Sequence, residues 1–158
     1  MVRCGGRAGW WVLLAGGAVL GLRAETFSLP RFFVERTPGR FELQMQGFAA
    51  EVTAGGVRLR AGRGDAAASL RVLYAGASAS TRPEGVEKLP GSVNFLQGRD
   101  PRVWRTDLPA YGRVRMPDLY PGVDVEYVLA AGRLKSEFRL AAGVSPEVIR
   151  MVYDGAER

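Results

Sequence analysis

This sequence predicts an all-β chain, folded as an antiparallel β-sandwich or open barrel with one short helical turn near 146–149. Three observations carry that expectation. From Phe27 onward apolar and polar residues alternate with a period of two. Phe41, Leu43 and Met45 alternate with Glu42, Gln44 and Gln46; Val57 and Leu59 alternate with Arg58 and Arg60; Leu70, Val72 and Tyr74 share one parity. Such a period places one face of each strand on a core and the other in water. Turn formers interrupt it at Pro38-Gly39, Gly55-Gly56, Gly62 to Asp65, Pro90-Gly91 and Pro121-Gly122, as in sandwiches and barrels of short strands. Finally, 158 residues that are 47 % hydrophobic suffice for one compact domain and fall short of two.

In chain order, residues 1–24 read as a targeting segment. Arg3 and Arg7 precede an uncharged stretch from Ala8 to Leu22, too short to span a bilayer comfortably, and the small residue Ala24 precedes polar Glu25. That is the order of a secretory signal peptide, so cleavage after Ala24 and an extracytoplasmic location, periplasm or cell surface, are expected. No membrane association is expected once it is removed. Cys4 precedes the apolar stretch, whereas a lipid-bearing cysteine would follow it, and the mature chain then has no cysteine. Its core must be held by burial and hydrogen bonding. Residues 25–158 form the single β-rich domain. Within it Ala66–Ser69 and Ala75–Ser80 read as loop and strand ends.

The clearest local structure is a hairpin over 123–140. Val123, Val125, Tyr127 and Leu129 share one parity; Leu134, Phe138 and Leu140 share the other. Cross-strand partners point to the same face, so an even loop is required. A loop of Ala131-Gly132, or of Ala130 to Arg133, sets Leu129 opposite Leu134, Val125 opposite Phe138 and Val123 opposite Leu140. On the wet face Asp124 meets Arg139 and Glu126 meets Glu137. Next, Ser145-Pro146-Glu147 supplies a capping residue, proline at the first helical position and an early acid, predicting one helical turn to Ile149. A last strand, Arg150–Tyr153, carries Met151 and Tyr153 on one face and Val152 on the other, so both faces seek cover. The chain stops soon after it, and the domain is therefore expected to be truncated at its C-terminal end.

Composition narrows the function classes. With no His and one Cys, His-dependent triads, His-ligated metals and Cys-rich zinc sites are excluded. No cofactor and no metal site are expected. The formal charge of +6 comes almost entirely from arginine. Removal of Arg3, Arg7 and Arg23 with the leader leaves 19 basic against 16 acidic residues, spread without a block or stripe. Nucleic-acid binding needs clustered charge and is not expected.

Glu126 and Glu137 form the one candidate catalytic pair, since paired carboxylates carry out glycoside hydrolysis. Their place on the wet face, near Lys135 and Arg139, predicts an exposed charge ladder instead, because a catalytic acid needs desolvation. The candidate binding residues are Asp100, Trp104, Tyr111, Tyr120 and Asp124. Trp104, the one tryptophan of the mature chain, lies among polar loop residues. It is either a sugar-stacking platform or an anchor pinning its loop to the core, and Tyr111 and Tyr120 share that ambiguity. Asp100, Asp107 and Asp118 stand in turn contexts, where acids bond backbone amides or hold a surface cation. Serines lack a histidine base, and Lys88 and Lys135 lack a partner motif.

Residues 90–156 also carry a resemblance. Pro90-Gly91-Ser92-Val93-Asn94-Phe95 leads to Gly98-x-Asp100-Pro101-x-x-Trp104-Arg105-Thr106, then Pro109-x-Tyr111-Gly112-x-Val114 and Tyr120-Pro121-Gly122-Val123-Asp124. Leu134-x-x-x-Phe138, Gly143-x-x-Pro146-x-x-Ile149-Arg150 and Gly155-Ala156 complete the order. This resembles the N-terminal domain of unknown function found ahead of SBBP-type β-propeller repeats in secreted bacterial proteins. Two departures stand out: Arg36-Thr37-Pro38-Gly39-Arg40 replaces the family's Asn-x-Gly-Gln motif, and Lys135-Ser136-Glu137 replaces an acidic-aromatic stretch. The resemblance implies an exported β-rich module without known activity, followed by further β-structure.

The expected function is that of a secreted noncatalytic interaction or scaffolding module. Its partners would be C-terminal β-propeller repeats, another protein or a cell-surface glycan. The alternatives are a carbohydrate-active domain, binding through Trp104 or hydrolysing through Glu126 and Glu137, and a truncated remnant without independent function.

Overall fold

The computed structural model describes residues 32–62 and 67–155. The expected leader 1–24, with Cys4, lies outside the described residues, as does the chain past Gly155. Ten strands follow in order: β1 Phe33–Thr37, β2 Arg40–Met45, β3 Phe48–Thr53, β4 Gly56–Ala61, β5 Ala68–Tyr74, β6 Glu84–Phe95, β7 Arg105–Tyr120, β8 Val123–Ala130, β9 Arg133–Leu140 and β10 Met151–Asp154. Two 3-10 turns, Pro101–Val103 and Pro146–Val148, are the only helical elements among the described residues.

All strand pairs are antiparallel and belong to one sheet, ordered β10-β5-β4-β3-β2-β1-β7-β8-β9, with β6 paired to β7 off that path. The sheet curls into a half-barrel, the open-barrel form of the expected fold. Its curl brings β5 and β8 together across the interior, where the Tyr74 and Tyr127 hydroxyls meet at 2.7 Å. Register shifts between Glu35 and Thr37, Lys88 and Ser92, and Met116 and Tyr120 supply the local bends. The enclosed face carries the core, including Phe33, Phe41, Leu43, Val52, Val114, Met116, Val125 and Tyr127.

The alternations predicted from the sequence land on this face. Phe41 and Leu43 are buried and Glu42 and Gln44 are not; Val72 and Tyr74 are buried and Leu73 is exposed. The hairpin closes through Ala131-Gly132, with φ of 48° and 75°, a turn whose twist suits paired strands. Val125 pairs with Phe138, Val123 with Leu140 and Leu129 with Leu134, as parity required. Ser145 caps the second 3-10 turn by accepting from the Glu147 N–H, and the turn ends at Ile149. The last strand begins one residue later than expected, at Met151.

One boundary is corrected. Pro90-Gly91 does not separate two strands; it lies inside β6. There the Lys88-to-Ser92 register shift absorbs the proline and the positive φ of Gly91. A bulge, like a turn, accommodates a proline and a left-handed glycine. Ala68 and Ser69 open β5, the strand end expected within that small-residue stretch.

Candidate functional site

The five candidate binding residues do not gather at one place. Asp100 and Trp104 share the β6–β7 connection, where Asp100 caps the 3-10 turn by accepting from the Arg102 N–H at 3.0 Å. Arg102 also forks onto both carboxylate oxygens at 2.8–3.1 Å. These contacts hold the Asp100 carboxyl below its ordinary range. Trp104 donates its indole N–H to the Gly98 carbonyl at 3.3 Å and stays 37 % exposed. It therefore pins its own loop without entering the core, and its ring keeps an open face.

Tyr111, in mid β7, packs edge-on to Phe41 with centroids 5.8 Å apart. Its ring also lies against Gly85 so closely that a Cβ there would sit 2.5 Å from three ring carbons. Tyr120 is buried at the end of β7. Its hydroxyl lies 3.1 Å from the Ala75 carbonyl and 3.2 Å from the Arg150 carbonyl, and accepts from the Arg150 N–H at 3.3 Å. It thereby ties the β5 exit and the β10 entrance to β7. Asp124 accepts from the Asp118 N–H at 2.8 Å, fixing the bulge where Asp118 takes a φ of 46°. Its expected meeting with Arg139 holds in register only, because the Arg139 guanidinium turns to Glu126.

The expected solvated ladder at Glu126 and Glu137 is half corrected. The two are cross-strand partners, and Glu137 is exposed, but Glu126 is 4 % exposed. The cause is its position on β8 between two neighbours. Arg113 on β7 and Arg139 on β9 lie over it, at 3.5 and 3.1 Å from Oε2. Arg113 also pairs with Glu87 at 3.0 Å, while Arg115 pairs with Glu84 at 2.5 Å. The acids and arginines thus alternate across β6, β7, β8 and β9. Among the described residues no cluster of three or more His, Cys, Asp or Glu side chains is placed to hold a metal ion.

Two features escaped sequence reasoning. The first is the Tyr74–Tyr127 hydroxyl pair; burial pushes both phenols above their ordinary range, Tyr127 most strongly. The second is the seam of the half-barrel. The sheet order ends at β10 on one side and at β9 on the other, and these ends bank a common cleft of about 590 Å³. β9 contributes Leu134 and Ser136, β10 contributes Met151 and Tyr153, and Leu59 and Leu70 lie between. The one signal in the sequence was the two-faced apolar pattern of 151–153, which marked a strand at an edge.

No curated protein and no solved structure matches the chain. A family model does match it, over residues 28–158. The match spans the whole half-barrel, so the chain belongs to the family described as a domain of unknown function, DUF7948.

Proposed function

We propose that the protein is an exported, noncatalytic interaction module that presents an open half-barrel to a β-rich partner, either following β-propeller repeats or another protein. The observation that carries this reading is the apolar seam between β9 and β10. Unpaired strand ends flanking an apolar cleft are a template for another chain. The leader-like first 24 residues and the resemblance to modules ahead of SBBP-type repeats support export. The bonding of Asp100, Tyr120 and Asp124 to the protein's own backbone supports structural roles for them.

The exposed ring of Trp104 favours one second reading, a glycan-binding face. The test combines N-terminal sequencing of the exported chain with assays on a panel of glycosides and polysaccharides. The expected outcome is a mature chain that begins at Glu25, cleaves no glycoside and keeps its properties in Trp104→Ala. Retention in the cytoplasm, or hydrolysis lost in Glu126→Gln/Glu137→Gln, would overturn the proposal. Glycan binding lost in Trp104→Ala would replace it with the second reading.

A further inference from the structure

The edges of the sheet are not equivalent. β6 is bulged, contains Pro90 and carries Glu87 at a φ of 59°, features that blunt an edge. β10 has only four residues. β9 runs eight residues in unbroken register with β8 and contains no proline.

The hairpin fixes which backbone groups of β9 have no partner among the described residues. In a two-residue hairpin the residues flanking the loop, Ala130 and Arg133, exchange backbone bonds, so the odd-numbered residues of β9 bond to β8. The Ala141 N–H continues the pattern, donating to the Gly122 carbonyl at 2.8 Å. The N–H and C=O groups of Leu134, Ser136 and Phe138 therefore point away from β8, toward the seam. Leu134 and Ser136 line the apolar cleft.

The other face of β9 is basic. It carries Arg133, Lys135, Glu137 and Arg139. Arg139 is engaged with Glu126, and Glu137 lies 4.0 Å from Arg113. Among the described residues no acid forms an ion pair with Arg133 or Lys135. A second copy of β9 paired antiparallel about Ser136 would set Arg133 against Arg139, a like-charge contact that makes self-pairing poorer than pairing with an acidic strand. A strand with carboxylates at alternate positions would complement Arg133 and Lys135.

Resting on the reading above, we infer that β9 takes up an extended strand of a partner protein in which apolar and acidic residues alternate. The apolar side chains fill the cleft, the carboxylates face Arg133 and Lys135, and the backbone bonds to Leu134, Ser136 and Phe138.

Calorimetric titration of the full chain with a ten-residue peptide of alternating valine and glutamate tests this, with a valine–lysine peptide as control. The expected result at low salt is at least tenfold tighter binding of the glutamate peptide, with slowed amide exchange at Ser136 and Phe138. Arg133→Glu/Lys135→Glu should reverse the preference. Ser136→Pro, which deletes an edge donor without touching the β8 ladder, should abolish binding while leaving the melting temperature within a few degrees; if that variant fails to fold, the charge reversal carries the test. Equal affinities, no binding by either peptide, protection at Tyr153 on β10 instead, whose N–H points away from β5, or a peptide-free dimer protected at β9 would each overturn the inference. An exported, glycosidase-free chain that ignores both peptides removes the strand-docking inference and leaves the wider reading standing, whereas glycosidase activity removes the wider reading whatever the peptides do.

Discussion

Tyr74 and Tyr127 form a polar pair inside an otherwise apolar half-barrel. Each hydroxyl bonds the other, and Ser136 stands as a second partner to Tyr74 alone. Tyr74→Phe strands the Tyr127 hydroxyl and should cost about 1–2 kcal/mol, whereas Tyr74→Phe/Tyr127→Phe removes both and should be nearly neutral. Urea melts of the three proteins measure the difference. The pair also sets an alkaline limit. Both phenols have folded pKa values raised above the ordinary 10.0. Above about pH 10 the unfolded chain releases protons that the folded chain keeps, so the unfolded state gains. Stability is full below pH 10 and falls as pH rises beyond it, and the double Phe variant should flatten that fall.

Glu126 gives a second contrast at the same scale. Glu126→Gln leaves Arg113 and Arg139 facing a neutral amide in a site that is itself buried. Both guanidiniums are partly exposed, so solvent screens the loss, and about 1–2 kcal/mol is expected. Glu137→Gln, on an exposed side chain, should stay within about 0.5 kcal/mol. Equal effects in chemical denaturation would show that burial of Glu126 does not govern its contribution.

At the scale of the element, the β8–β9 hairpin is held by its register. Val125 is fully buried opposite Phe138, so Val125→Asp sets an unpaired charge in the core and should cost about 4 kcal/mol or more. Gly56, where β4 begins, is under a different constraint. Its φ is 120° and a Cβ would lie 2.2 Å from the Val72 carbonyl oxygen. Gly56→Ala must therefore move β4 away from β5, and a drop of at least about 10 °C in melting temperature is expected, judged on a domain of this size losing several kcal/mol. Gly39→Ala, at a turn with nothing within 4 Å, carries only the strain of its positive φ and should cost about 1 kcal/mol.

The described residues form one curled sheet whose two ends, β9 and β10, do not pair with each other. On β10, Val152 is 46 % and Tyr153 57 % exposed. An edge with apolar residues on both faces invites association. The 25–158 chain is expected to self-associate through β10 at high concentration, and Val152→Lys should keep it monomeric in light scattering. Its unfolding free energy should be low for its length; a monomer of roughly 8 kcal/mol or more at all concentrations would contradict both expectations.

The sequence alone determined the strand class, the buried parity of β2, β5 and β8, the register of the β8–β9 hairpin and the cap at Ser145. These are local properties: a period of two, an even loop and a capping pair act between residues close in the chain. Only the tertiary structure decided that Glu126 is buried, that Tyr74 meets Tyr127 and that β9 and β10 bank one cleft. Each depends on how far the sheet curls, which sums the twist and bulges of ten strands and brings together residues far apart in sequence. Tyr111 and Tyr120 were legible as aromatic platforms or anchors, but their partners, Gly85 and the Ala75 and Arg150 backbone, lie on other strands or connections. Alternation tells which side chains leave the water. Where the sheet stops curling tells which of them find one another.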